Sequence, residues 1–248
     1  MSAKEARVRH RWLAAFFAIA LIAGCARAPE PGVNDPYEST NRAWFDSNLR
    51  LSSAITGSEE APGETTPPRA SPFRRALSNV GGNLGLPSSI LNDLLQIRPA
   101  RAAENTVRLV INTTVGLGGL FDPAGAMGFH GRRSDFGETL HRWGVGEGAY
   151  VVLPVFGPST ERDSAGLVVD MLIDPLRFVL PAPEYGYSSA VRLGGRLADA
   201  AEYSDLLDAN VINTADPYAQ ARLLYLQTRR YHLGVEVEEE IIDPYADF

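Results

Sequence analysis

The chain has 248 residues, 30 acids against 23 bases and a net charge of −7. That balance argues against nucleic acid, which needs clustered cations, and against loose adsorption to anionic lipid. A single cysteine excludes an intramolecular disulfide.

The first eleven residues carry Lys4, Arg7, Arg9 and Arg11 against Glu5, and Trp12 to Ala23 then runs without a charge. A basic start, a short apolar run and a small-residue exit at Ala23-Gly24 predict an export signal over residues 1–24. As a helix the apolar run spans about 18 Å, too short for a hydrocarbon core of about 30 Å. Leu21-Ile22-Ala23-Gly24-Cys25 resembles a bacterial lipobox, whose cysteine takes diacylglycerol and a further acyl chain and becomes the new N-terminus. The alternative is an ordinary cleavage site beside an incidental cysteine. Ala26, in place of aspartate, directs the lipoprotein to the outer membrane under the common sorting rule. Without the signal the net charge is −10, and because Lys4 is the only lysine, every remaining positive side chain is arginine.

Residues 25–34 read as a tether, and Asp35-Pro36-Tyr37-Glu38 as a helix start with Asp35 as cap, the helix running to about Ser53. Residues 56–72, rich in glutamate and proline, form a polar loop. Helical spacing returns between Phe73 and Pro99, with its apolar repeat after Pro87, and again over Ala103 to Thr114. Gly116 to Pro123 ends that helix. Phe136 to Pro158 is the least helical stretch, and its apolar run Tyr150 to Phe156 is either extended or a short buried segment. A helix break is predicted at Asp174-Pro175. Two further helices cover Ala190 to Asp208 and Asp216 to Leu233, the latter opening with the same Asp-Pro-Tyr start. The tail over 234–248 carries six acids and no base and is expected to be mobile. The domain is therefore residues 35–233, all-α, one body of amphipathic helices with glycine-rich joints.

Chemistry-bearing motifs are weak. His130, His141 and His232 lack paired metal-ligand spacing. Ser159 in Gly157-Pro158-Ser159-Thr160-Glu161 lacks the last glycine of a nucleophile elbow and the strand–turn–helix setting, so hydrolysis is not expected. Gly116, Gly118 and Gly119 precede no lysine, so they form no nucleotide loop. No cofactor, metal or catalytic residue is expected. What remains is a glycine-rich helical chain tethered to a membrane, with no segment able to span it alone, lying within one leaflet.

In order along the chain stand Asn34–Arg42 (with Asp35, Pro36, Asn41), Asn83–Gln96, Asn112–Asp122, Asp135–Leu140 (with Phe136 and Gly137), Gly144–Tyr150, Leu153-Pro154, Gly157–Asp163 (with Arg162), and Asp216-Pro-Tyr218 with Arg222 and Tyr225. This ordered set, over residues 34 to 232, resembles the MlaA family, also called VacJ. The resemblance implies a ring-like helical body in the inner leaflet of the outer membrane, with an amphipathic channel that removes misplaced phospholipid from the outer leaflet. It implies trimeric porins as partners, a soluble periplasmic lipid carrier that serves an inner-membrane ATPase complex, and movement of the substrate without chemical change. Gly116, Gly118, Gly119, Gly144, Gly146 and Gly148 are then candidates for the bends that shape and gate the channel. One departure is that the segment between Leu51 and Pro72, apolar and aromatic in the family, is acidic and proline-rich here. It keeps open a non-conducting adaptor lipoprotein of an envelope complex as the alternative.

Overall fold

In the computed structural model, residues 33–56, 72–207 and 216–235 are described. The export signal, Cys25, most of the tether, residues 57–71 and the tail beyond 235 lie outside the described residues. The fold is mostly helical, as the sequence predicts, with two short strands added. In chain order it runs α1 (Glu38–Thr56), α2 (Pro72–Leu95), α3 (Pro99–Thr114), α4 (Pro123–Ala126), α5 (Phe136–Arg142), β1 (Tyr150–Leu153), β2 (Gly157–Thr160), α6 (Glu161–Ile173), α7 (Pro175–Val179), α8 (Ala182–Leu207) and α9 (Pro217–Leu233). Among the described residues, no helix is long and apolar enough to cross a membrane.

Three expectations are corrected. The stretch from Phe136 holds a helix, because Asp135 caps α5 by accepting from the Glu138 amide at 2.8 Å. Helix α2 runs on through Pro87, as the helical spacing from Phe73 predicts, whereas α8 begins at Ala182, eight residues earlier than the apolar spacing suggests. Asp35 does not serve as the expected cap of α1; its carboxylate accepts from the side chains of Asn41, Tyr218 and Arg222. The helix break at Asp174-Pro175 is where the sequence places it, and Asp174 caps α7 through the Leu176 amide at 3.1 Å.

The extended reading of Tyr150 to Phe156 holds in its first half: β1 pairs antiparallel with β2, Tyr150 opposite Thr160 and Val152 opposite Pro158. The free edge of β1 is closed by asparagines of α1 spaced seven residues apart. Asn41 accepts from the Val152 amide at 2.8 Å and donates to the Tyr150 carbonyl at 3.1 Å. Asn48 accepts from the Val155 amide at 2.8 Å and donates to the Leu153 carbonyl at 2.9 Å. Side-chain amides thus do for this edge what a neighbouring strand does elsewhere. Behind the hairpin lies the apolar cluster of Tyr150, Val152, Tyr218 and Leu226, with Phe45 and Tyr225 against it and the rings of Phe45 and Tyr218 meeting edge-on at 5.8 Å.

Glycines set two close helix crossings. Helix α2 packs on α8 where a Cβ on Gly81 would stand 3.1 Å from the Gly195 Cα. Helix α5 packs on α6 where a Cβ on Gly166 would stand 2.3 Å from the Gly137 amide nitrogen. Gly146, by contrast, has open space at its Cβ position. Gly166→Ala is therefore expected to cost about 3 kcal/mol by forcing two backbones apart. Gly146→Val should stay within about 0.5 kcal/mol of wild type. Chemical denaturation of both variants reads the difference, and equal effects would refute this account of the crossing.

Candidate functional site

The interior is polar and much of the apolar surface is outside. Asn41, Asn92, Asp93, Asn105, Glu138, Thr139 and Asp174 are almost completely buried, whereas Ile97, Phe178 and Val179 are 88, 76 and 76% exposed. A water-soluble domain sorts these residue types the other way.

Within this body lies an open groove of about 780 Å³ between α2, the hairpin, α6, α8 and α9. Helix α2 borders it with small residues only, Gly81, Gly82, Gly85, Ser88 and Ser89. Leu153, Phe156, Leu167, Met171 and Leu193 supply the groove's apolar lining. Opposite chemistry comes from Arg133, Arg177, Arg192, Arg196 and Arg229, set among Asp135, Asp163, Asp170 and Asp174. Arg192 is paired with Asp174. Arg229 is bound on two sides, to Asp163 through Nε at 2.8 Å and to both oxygens of Asp135 at 2.8 and 2.9 Å. Tyr225 also donates to Asp163, at 3.1 Å.

The electrostatics of the groove are uneven. Burial, reinforced by Asp135, pushes the Asp170 carboxyl up to about 6, although the Phe136 amide, the Asn92 amide and Arg196 favour its charge. For Arg196, burial and then the like charges of Arg133 and Arg192 lower the pKa. Three guanidinium groups therefore share one region of the groove, where an anion would be stabilised.

Of the residues singled out in the sequence, Asp135, Leu153, Ser159, Asp163 and Tyr225 reach the groove. None of the six joint glycines lines it; Gly119, for example, is left-handed (φ 92°) and is packed against Asn83, where a Cβ would meet that side chain at 2.5 Å. Asn83, Asn112 and Asp122 instead line a smaller polar chamber. Asp122 caps α4 through the Gly125 amide and accepts from Asn112 at 2.8 Å. Asp35, Asn41 and Arg42 belong to ties between the chain ends: Arg42 holds Asp216 with both nitrogens, at 2.9 and 2.7 Å, and lies 4.4 Å over the Tyr218 ring. Pro36 is exposed just ahead of α1. Phe136 is buried against Trp143, Gly137 sits in the α5–α6 crossing, and Arg162 is buried beside Asp163.

A strand does run into a helix at Ser159, contrary to expectation, but no elbow forms. Ser159 is buried on β2 opposite Val151 and shares a hydrogen bond with Ser164 at 3.0 Å. His141 faces Arg162, and burial lowers its pKa.

Arg177, Arg192, Arg196 and Asp170 were not singled out in the sequence. Their signal was there as Arg192 and Arg196 one helical turn apart in a stretch otherwise of small and apolar residues.

Fold and groove together define a class: a mostly helical protein with a polar interior, an apolar exterior and an arginine-bearing amphipathic groove. The family described as MlaA lipoprotein matches residues 33–232, and the chain belongs to that family. The intermembrane phospholipid transport system lipoprotein MlaA of Escherichia coli K12 is 31% identical over 221 residues, 84% of this chain and 82% of its own. Its counterpart of the same name in Haemophilus influenzae is 30% identical over 93% of this chain and 95% of its own. An uncharacterised protein of Rickettsia bellii is 30% identical over 79% of this chain and 76% of its own. A solved structure reported under "Structural basis for maintenance of bacterial outer membrane lipid asymmetry" is 30% identical, with a TM-score of 0.60 over 80% of this chain and 98% of that one.

Because Arg229 bridges two carboxylates that are themselves partly buried, Arg229→Met should destabilise the protein by about 3 kcal/mol, leaving Asp135 and Asp163 side by side without their counter-charge. The double change with Asp163→Asn should recover part of that loss, as measured by denaturant titration. Additive effects would show the bridge to be energetically idle.

Proposed function

We propose that this lipoprotein draws misplaced phospholipid out of the outer membrane into its groove and passes it to a soluble periplasmic carrier, maintaining lipid asymmetry. The observation that carries this reading is the mixed lining of the groove, guanidinium groups beside apolar side chains. A phosphodiester in hydrocarbon without polar partners faces a large desolvation penalty. Guanidinium groups in the lining replace its water, while Leu153, Phe156, Leu167, Met171 and Leu193 receive the acyl chains. The transport system named in the curated relatives supports the same substrate.

A groove that serves lipid belongs in a membrane. The exposed apolar side chains support a ring-like seat in the inner leaflet of the outer membrane, with diacylglyceryl and acyl chains on Cys25 as the anchor. Trimeric porins are the partners that hold it there, and an inner-membrane ATPase complex behind the carrier supplies direction. The lipid is moved without any bond being made or broken.

Deleting the gene should raise phospholipid on the outer leaflet. Wild type should restore the barrier, while Cys25→Ala and the groove-filling Leu193→Trp should not. Unchanged exposure in a deletion strain with no second copy of the gene would replace transport by the adaptor reading.

Asp170 predicts a pH dependence. Its folded pKa lies above the ordinary carboxylate value, so the folded state holds this proton more tightly and loses stability as pH rises through about 6. Below that point Asp170 is neutral and the groove one charge more positive. A short-chain anionic phospholipid should bind about fivefold more tightly at pH 5 than at pH 7.5, from a charge interaction of about 1 kcal/mol. Asp170→Asn should flatten the profile at the tighter level. A pH-independent wild type would remove Asp170 from the binding electrostatics.

A further inference from the structure

The arginines that line the groove are not equivalent. Arg229 spans Asp135 and Asp163, Arg192 is paired with Asp174, and Arg133 likewise has an interaction partner. Arg177, exposed on α7, donates to the Met171 carbonyl at 3.4 Å. Arg196 differs from all four. Among the described residues its guanidinium makes no hydrogen bond or ion pair, and the residue is open to solvent even though the surrounding protein lowers its pKa.

Two features keep Arg196 free and fixed in place. Asp170, the groove carboxylate whose charge favours that of Arg196, is taken up elsewhere. One of its oxygens accepts from Asn92 Nδ2 at 2.7 Å and the other from the Phe136 amide at 2.9 Å. The backbone that carries the arginine is set by the helix crossing: a Cβ on Gly195, the residue before it, would stand 3.1 Å from the Gly81 Cα. One turn further along α2, nothing lies within 4 Å of the Cβ position of Gly85, which borders the same groove.

We infer that Arg196 makes the direct contact to the lipid phosphate, while Arg192 and Arg229 brace the groove around it. The inference rests on the groove reading of the function. A guanidinium fork meets two phosphate oxygens at once, which gives the contact both strength and orientation. Arg192 could turn to a phosphate only by abandoning Asp174, a carboxylate 1% exposed that would be left without its counter-charge. Arg196 has no such bond to break. It is also the better placed of the two arginines without a carboxylate partner. A charge contact ringed by protein is worth more than one on the exposed surface of α7. An arriving phosphate further relieves the like charges of Arg133 and Arg192 that oppose Arg196.

The test titrates the full-length lipoprotein in detergent with dihexanoyl phosphatidylglycerol and with dihexanoylglycerol, which has the same chains and no phosphate. Arg196→Gln should weaken the phospholipid about thirtyfold, the value of one charge-assisted contact, and leave dihexanoylglycerol affinity unchanged. Arg196→Lys should recover part of the loss, because the charge is kept and the fork is not. Circular dichroism confirms that the variants are folded. Equal losses for both ligands would make Arg196 a structural residue and overturn the assignment. Phospholipid affinity that ignores Arg196→Gln, or falls instead with Arg177→Gln, overturns it too, and each of these results leaves the groove standing as a lipid site. Displacement of the phospholipid by an equal concentration of inorganic phosphate overturns it in favour of a soluble anion. A wild type that binds neither ligand overturns the groove reading together with this one.

Discussion

One face of α9 holds the molecule together. Tyr218, Arg222, Tyr225 and Arg229 recur at helical spacing, and each reaches a carboxylate on a different part of the chain. Tyr218 and Arg222 take Asp35 ahead of α1, whereas Tyr225 and Arg229 take Asp163 on α6. Arg229 also takes Asp135 at the start of α5. The helix's own cap, Asp216, is held by Arg42 from α1, which with the Ala219 amide keeps its carboxyl low, at about 2. Helices α1, α5 and α6 are thus registered against a single helix by ion pairs, and the hairpin packs on it through Tyr150 and Val152. Arginine suits this task because its planar fork reaches two carboxylate oxygens at once, a geometry that lysine does not offer. The near absence of lysine from the sequence follows the same demand.

Such an interior has consequences for everything around it. Buried polar groups are tolerated only when partnered, and the rung from α2 to α6 meets that condition link by link. Gln96 donates to Ser134 at 2.8 Å and to Thr139 at 3.0 Å, Thr139 donates to Asn92 at 2.9 Å, and Asn92 donates to Asp170 at 2.7 Å. The last link delivers a carboxylate to the groove wall, so the network that braces the helices also sets the charge of the site. Apolar side chains displaced from such a core have nowhere to go but outward, which is why Phe178 and Val179 stand exposed. The same sorting that makes the exterior suitable for lipid leaves room inside for a headgroup.

Much of the fold was legible in the sequence because local rules govern it. The Asp-Pro start at 216, the glycine-bounded end of the helix at Thr114 and the break at Asp174 each depend on neighbours within four residues. Helix α5 was missed because the glycines and short length of Phe136–Arg142 mask a helix that depends on the Asp135 cap. The Asp35 cap failed for the opposite reason: two side chains from α9, more than 180 residues away, outcompete the amides beside it. For the groove, the motif residues Asp135 and Asp163 were visible, but as part of the frame more than of the lining. Arg133, Arg192 and Arg196 come together only when α8 crosses α2 at Gly81 and Gly195, and no spacing rule along the chain announces that crossing.

A groove that passes lipid on, as proposed, must also release it, and the charge of this groove fits that demand. Five arginines line it beside four aspartates, so its net charge stays close to neutral even though guanidinium groups dominate one region. Arg229 is committed to Asp135 and Asp163, and Arg192 to Asp174, as structural pairs. Arg196, whose charge is opposed both by burial and by its cationic neighbours, gains most from an arriving phosphate. Asp170 works against it: ionised, it competes with the phosphate for the same cation; protonated, it leaves the cation to the lipid. A groove of arginines alone would bind phosphodiester too firmly to pass it on, and one of paired charges alone would not desolvate it. On the proposed function, the observed mixture would lower the barrier for a headgroup without making the groove its resting place.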